Sequence, residues 1–277
     1  TPGEVIPGVP DVTTPPAVVP PTDDGSDEGY TVVTEKVEKN MENVTVKISK
    51  SSFRKLIDTS ANGGGAVLVQ RSNITIEDSK FISKEATKGG AINIYITRND
   101  KINGVTYRPP LFCTIIRCKF MSCTADYGGA AYLRSTQPNI HSITVEDCTF
   151  ASNTASKYGG ALYAEARDEF LMQRCIFNNN NASEGSSIWL TVGNNAGSDT
   201  NDTAILLDNQ FVAHQDSLST VYIKSVKITS ETLNAHASII IGGCTFNVLN
   251  TPTNSEYKNL KMVEGCEKGF QSITFTG

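Results

Sequence analysis

The sequence predicts an all-β chain wound into a parallel β-helix of about seven coils, and three observations predict it. First, Gly-Gly-Ala followed by a small or aliphatic residue recurs four times: Gly64-Gly65-Ala66-Val67, Gly89-Gly90-Ala91-Ile92, Gly128-Gly129-Ala130-Ala131 and Gly159-Gly160-Ala161-Leu162. Second, a Phe (Phe53, Phe81, Phe120, Phe150) stands 10 to 13 residues before the alanine of each motif. Third, short β-branched runs with a period of two lie on both sides of these landmarks, and no helical period intervenes. A repeat of about 30 residues with two or three strands and turns rich in Gly, Asn and Ser fits a stacked solenoid rather than a sandwich. At about 4.8 Å per stacked strand the column is about 35 Å long.

Residues 1–29 precede the repeats. They hold seven of the eleven prolines and six acids (Glu4, Asp11, Asp23, Asp24, Asp27, Glu28) without a Lys or Arg. The chain carries a net charge of -5, so removing this segment leaves 24 basic against 23 acidic groups in residues 30–277. The acidity belongs to the arm and the body is neutral, which argues against nucleic acid as a partner. Proline fixes φ near -65° and removes a donor, so the arm is expected to be extended polyproline II resting on a partner. Its acidic end, Asp23 to Glu28, lacks the spacing of a calcium loop and reads as a solvated linker, so no metal or cofactor is expected. The chain opens on Thr1-Pro2-Gly3 without Met, as expected where a targeting segment was removed or never included. No apolar run approaches the roughly 18 residues of a membrane-spanning helix.

The coils follow in order. Upstream of the Phe positions lie Ile74-Thr75-Ile76, Thr114-Ile115-Ile116, Ile143-Thr144-Val145, Ile205-Leu206-Leu207 and Ile239-Ile240-Ile241. Degenerate repeats follow at Phe177 with Gly185-Ser186-Ser187-Ile188 and at Phe211 with Ser219-Thr220-Val221, and Phe246 opens the last coil. Residues at one offset from Phe should form vertical columns. Two positions before Phe stand Ser51, Ser79, Cys118, Cys148, Cys175, Asn209 and Cys244, small groups suited to an inward turn. Three before stand Asp78, Arg117, Asp147, Arg174 and Asp208, whose sign alternates at every rung. Alternating charges attract in an in-register stack, by a few tenths of a kcal/mol per pair. Lys80 and Lys119, one position before Phe, are adjacent like charges that this pattern does not explain.

Phe-x-x-Asn (Phe150 to Asn153, Phe177 to Asn180) together with Gly-Gly-Ala-[Ile/Leu/Val] resembles the repeats of chlamydial polymorphic outer-membrane proteins and related microbial surface proteins. The resemblance covers roughly residues 44 to 250 and implies a right-handed parallel β-helix with an adhesive or surface-structural role. About 30 residues follow the last coil, too few for an outer-membrane barrel. The expectation is a passenger portion or a self-contained secreted protein, extracellular or on the cell surface.

Strands after Gly-Gly carry the candidate binding surface. With Val67, Ile92, Leu162, Ile188 and Val221 inward, Tyr132, Tyr163, Trp189 and Tyr222 form one outward column. The opposite phase would make these rings core; the uniformly aliphatic alternate set favours the outward one. An exposed ladder of four rings needs a partner. Sugar rings suit it, and so does a proline segment such as Pro15, Pro16, Pro20 and Pro21 from a neighbouring copy. The leading expectation is therefore a non-enzymatic surface filament or layer in which the chain is its own partner, a head-to-tail contact that propagates. A monomeric glycan-binding adhesin is the alternative, with the long loops 95–112 and 191–204 as recognition surfaces.

A polysaccharide lyase or hydrolase is the third reading. Its carboxylates would be Glu77, Asp78, Glu146, Asp147 and Asp208, but the charge column engages the three aspartates and Ile116 separates Glu77 from Glu146. His141, His214 and His236 show no metal spacing. Cys118, Cys148 and Cys175 read as stacked buried thiols, and Cys244 with Cys266 is the one disulfide suggested. Sequons at Asn43, Asn73, Asn181 and Asn201 are candidate glycosylation acceptors.

Overall fold

The computed structural model describes residues 25–276, apart from 34–36, 41–44, 55, 59, 61–62, 97–99, 103–104, 108–110, 136–141, 168, 194–200, 214–216, 226–235, 249–255 and 264–269. Among the described residues every regular element is a strand, and the strands stack in register as a parallel β-helix. Each coil gives one strand to each of three eight-stranded parallel sheets. The Phe sheet runs from Thr31–Val33 through Ser51–Arg54 to Thr245–Val248. The Gly-Gly sheet runs from Val37–Asn40 to Lys258–Val263. The third, upstream of each Phe, runs from Thr45–Ser49 to Phe270–Thr276.

The stack therefore has eight rungs, one more than the Phe repeat suggests. The additional rung is Thr31–Val33, where Val33 occupies the Phe position above Phe53 and leaves no aromatic signature to read. A short fourth sheet joins Ile57–Asp58, Glu85–Ala86, Thr124–Tyr127 and Thr154–Tyr158 at the corner between the Phe and Gly-Gly sheets. An antiparallel hairpin, Asp100–Ile102 with Val105–Tyr107, lies within the first long loop.

The core is a column of stacked rings. Phe53, Phe81, Phe120, Phe150, Phe177, Phe211 and Phe246 follow one another at centroid spacings of 4.7 to 5.0 Å, with planes within 17° of parallel. That spacing is the rise of a parallel sheet, so in-register backbone pairing imposes the stack. Burial of each of the first six rings contributes roughly 2–3 kcal/mol, and Phe246, at the end of the column, is partly buried.

The strands of Phe81, Phe120, Phe150 and Phe177 are each bounded by two left-handed residues, which turn the chain into and out of the sheet. Three positions before Phe, Lys50, Asp78, Arg117, Asp147, Arg174 and Asp208 have φ between 45° and 54°. Two positions after, Ser83, Ser122, Ser152 and Asn179 have φ between 50° and 53°. Side chains next to these turns bind the rungs together. The amide of Ser51 donates to Ser79 Oγ (3.1 Å), that of Cys118 to Cys148 Sγ (3.4 Å) and that of Cys175 to Asn209 Oδ1 (2.9 Å). On the other side, Asn153 Oδ1 accepts from the Cys123 amide and its Nδ2 donates to Phe120 O, both at 3.0 Å. Asn180 repeats this one rung on, through the Asn153 amide and Phe150 O. The Asn of Phe-x-x-Asn is thus a wholly buried clamp between coils.

Gly-Gly-Ala answers two steric demands. Gly128 has φ +62°, and a Cβ there would lie 2.0 Å from Ala131 O; a Cβ on Gly129 would lie 2.1 Å from Gly160 O of the next rung. The first glycine supplies the turn and the second lets adjacent backbones touch.

The charge column stands in register, but it is paired rather than continuous. Arg117 grips Asp78 with two bonds of 2.6 and 2.9 Å, and Arg174 grips Asp147 with bonds of 2.8 and 3.2 Å and also contacts Glu146. No ion pair joins Arg117 to Asp147 or Arg174 to Asp208 among the described residues. A guanidinium fork occupied by one carboxylate has no equivalent geometry left for the other neighbour.

Lys80 and Lys119 are register partners, and the arm accounts for them. Asp27, from the acidic end of the arm, accepts from Ser52 Oγ, pairs with Arg54 at 3.1 Å and with Lys80 at 3.0 Å; Lys80 also bonds Ser26 O and covers the Tyr30 ring. Lys119 stays exposed. Ser52, Lys80 and Arg54 hold the Asp27 carboxyl down to about 2. Residues 25–29 therefore clasp the first coils, and the remainder of the arm, with Pro15, Pro16, Pro20 and Pro21, lies outside the described residues.

Candidate functional site

The outer face of the Gly-Gly sheet carries two columns. One reads Leu68, Asn93, Tyr132, Tyr163, Trp189, Tyr222, Lys261, and the other Gln70, Tyr95, Arg134, Glu165, Thr191, Lys224. Alternate residues such as Leu133, Ala164, Leu190 and Ile223 belong to the core, so the four rings point outward, as their phase predicts. They form one stack: Tyr132 to Tyr163 at 5.0 Å, Tyr163 to Trp189 at 6.3 Å and Trp189 to Tyr222 at 3.9 Å, all within 6° of parallel.

Their expected exposure is corrected by the structure. Tyr132 is 7% exposed, Trp189 8% and Tyr222 6%, and Tyr163 is half-buried. The cover comes from the chain itself. The short fourth sheet sets Tyr158 on Trp189 at 4.2 Å and Tyr127 edge-on to Tyr163 at 5.6 Å. A lysine stands near each end of the stack, Lys88 at 5.6 Å from the Tyr132 centroid and Lys261 at 5.2 Å from that of Tyr222. The hydroxyls of Tyr132 and Tyr163 donate to Glu165 Oε1 at 3.4 and 3.2 Å, while Arg134 pairs with the other oxygen at 2.7 Å. Burial first, and then the Glu165 charge, push both phenols well above their ordinary range. The covering residues had a sequence signal: Lys88, Tyr127 and Tyr158 each directly precede a Gly at the motif position, and they are register neighbours.

One part of this face is open. The ring column ends at Tyr132, because the next rung places Asn93 there and the one beyond places Leu68. The gap is a cleft of about 180 Å³ lined by Gln70, Lys88, Asn93, Tyr95, Tyr132 and Arg134. Arg134 lies over the Tyr95 ring at 5.5 Å, so two cations, two amides and two rings converge.

The other candidate residues lie apart. Glu77 pairs with Lys47 at 2.8 Å, and Ile116 stands in register between Glu77 and Glu146, so those carboxylates are two rungs apart, about 10 Å. Cys118, Cys148 and Cys175 are buried free thiols, as their column predicts, with burial raising the Cys118 and Cys148 pKa values. Cys244 is a free thiol at the end of that column, and Cys266 lies outside the described residues. Asn73 Oδ1 accepts from the Phe112 amide at 2.9 Å, and Asn181 bridges to Thr154. Asn43 lies outside the described residues, and so does the side chain of Asn201. No helix among the described residues is long and apolar enough to cross a membrane.

Residues 147–165 match the family model described as the Chlamydia polymorphic membrane protein repeat. The match runs from the left-handed Asp147 through Phe150 and Asn153 to Gly159-Gly160-Ala161 and Tyr163, the part of one coil that holds its turn, clamp, close-packed glycines and ladder ring. The resemblance seen in the motifs and the repeat model agree on this coil. No curated protein and no solved structure matches the chain.

Proposed function

We propose that the protein is a non-enzymatic module of a microbial cell surface, a rigid β-helical rod whose lateral face adheres to glycans through the cleft at the head of its ring stack. The observation that carries this reading is the open, polar and aromatic cleft on an otherwise self-covered face. The match to a repeat of membrane proteins supports a surface location. The pairing of Glu77 with Lys47 and of Glu146 with Arg174 weighs against acid–base work, since both candidate carboxylates are engaged. Glycan-array binding by the whole chain tests the reading, together with protease shaving of intact cells of the organism that makes it. Binding to a defined glycan class and loss of the protein on shaving are expected; an empty array, or a protein untouched by shaving, sinks it.

Self-assembly is the second reading, and the end rungs favour it. Val32 is exposed on the first rung, and Ile273 and Phe275 on the last. There Phe246, Leu260 and Phe275 line an open cavity of about 340 Å³. A second copy stacked end to end would cover these groups and pair the free strand edges. The proline arm would then tie successive copies. Electron microscopy of the chain with and without residues 1–24 separates the two readings: filaments that need the arm favour assembly, and monomers in both samples exclude it.

A further inference from the structure

We propose that the cleft beside Asn93 binds a carboxylated pyranose, the acidic sugar of a glycan chain. The proposal deepens the adhesive reading above and rests on it. The ring column is interrupted at one rung. From Tyr222 to Tyr132 each rung contributes a flat ring, and each ring covers the face of the next. At the Asn93 rung the column has an amide in place of a ring, so the outer face of Tyr132 has no aromatic neighbour on that side. What remains is a space of about 180 Å³, below the range of drug-sized pockets and suited to one small ring.

The walls select the kind of ring. The C–H face of a pyranose is weakly positive and matches the negative face of Tyr132, on which it would continue the stack. The amide of Gln70 offers donors and an acceptor for hydroxyls at the edge. The charge at the mouth is cationic. Lys88 lies over Tyr132, and no carboxylate pairs with it among the described residues. Arg134 is shared with Glu165 one rung away, which leaves Lys88 as the uncompensated charge of the cleft. An anion on the ring would meet that ammonium in a partly desolvated setting, where a charge-assisted bond is about twice as strong as a neutral one. A neutral sugar would leave Lys88 without a counter-charge, and inorganic phosphate would leave the face of Tyr132 uncovered.

Isothermal titration of the whole chain with glucuronate, N-acetylneuraminate, glucose and inorganic phosphate at neutral pH tests the assignment. Millimolar binding of at least one carboxylated sugar is expected, with glucose and phosphate at least tenfold weaker. Lys88→Ala should weaken the acidic sugar at least tenfold, and Tyr95→Ala should weaken it less. Asn93→Tyr should complete the ring column, abolish binding and leave the thermal midpoint unchanged or higher. Should Asn93→Tyr fail to fold, the two cleft-mouth variants decide alone. No binding of either acidic sugar, equal binding of glucose or phosphate, or affinity untouched by both Lys88→Ala and Tyr95→Ala would overturn the proposal. A glycan array that reports neutral glycans, bound equally by Asn93→Tyr, keeps the adhesive reading and removes only the cleft from it.

Discussion

At the scale of single residues, the buried polar groups report how the repeat is held and where it departs from itself. Lys84 stands three positions after Phe81, where the next coils place Cys123, Asn153 and Asn180. It is 1% exposed, and its Nζ has no hydrogen-bond partner among the described residues. Burial pulls its pKa from 10.5 down to about 8. Below pH 8 the amine is charged in both folded and unfolded chains, so its burial penalty is complete; the penalty shrinks as pH rises and is gone above 10.5. Lys84→Asn would place a clamp facing Phe53 O, and we expect it to stabilise the protein by about 1–3 kcal/mol at pH 7. Urea denaturation at pH 7 and above pH 10.5 checks this, since the part of the gain owed to the ammonium must vanish at the higher pH. Asp27 has the opposite sign. Its carboxyl is held at about 2 against an ordinary 3.8, so the clasp is fully effective above pH 4 and is lost as pH falls toward 2. Asp27→Asn should therefore lower the thermal midpoint at pH 7, with an effect that shrinks as pH falls through 2. The Lys80 and Lys119 pair is unreadable from local pattern because its counter-charge lies 53 residues upstream of Lys80, in a segment that composition alone assigns to a linker.

At the scale of elements, the coil is legible because its demands are steric and repeat at every turn. Gly-Gly-Ala marks the left-handed turn and the backbone contact beneath it. Gly129→Ala would put a methyl 2.1 Å from Gly160 O, and a loss of at least about 2 kcal/mol is expected. Asn153→Ala would strand the buried Cys123 amide and the Phe120 carbonyl, at a cost of about 2–4 kcal/mol. Both are measured by urea denaturation, and the polar replacement Asn153→Ser should recover little because its shorter side chain does not span two rungs. The rung before Phe53 escaped the repeat for the same physical reason: Val33 buries less than a phenyl ring, and at the end of a stack a smaller apolar group suffices. The fourth sheet was missed because its strands are short and polar outside, with two to five residues each, so a period of two has no room to appear.

At the scale of the whole molecule, the ends and the lateral face divide the surface between them. Removing residues 1–29 should lower the thermal midpoint further than removing 1–24, because only the longer deletion takes Asp27 from Lys80 and Arg54. A scanning calorimeter distinguishes them, and equal midpoints would show that the clasp contributes nothing to cohesion. The sequence by itself determined the parallel stack, its register and the outward phase of Tyr132, Tyr163, Trp189 and Tyr222, because in-register pairing repeats each residue's environment and spacing alone then identifies the column. Only the tertiary structure decided which part of that column meets solvent. Exposure depends on what lies over a side chain, and Tyr127, Tyr158 and Lys88 reach the rings across a corner that no periodicity describes. The ladder expected to be open along its length is closed by its own chain, and the opening falls at Asn93, where a ring is replaced by an amide.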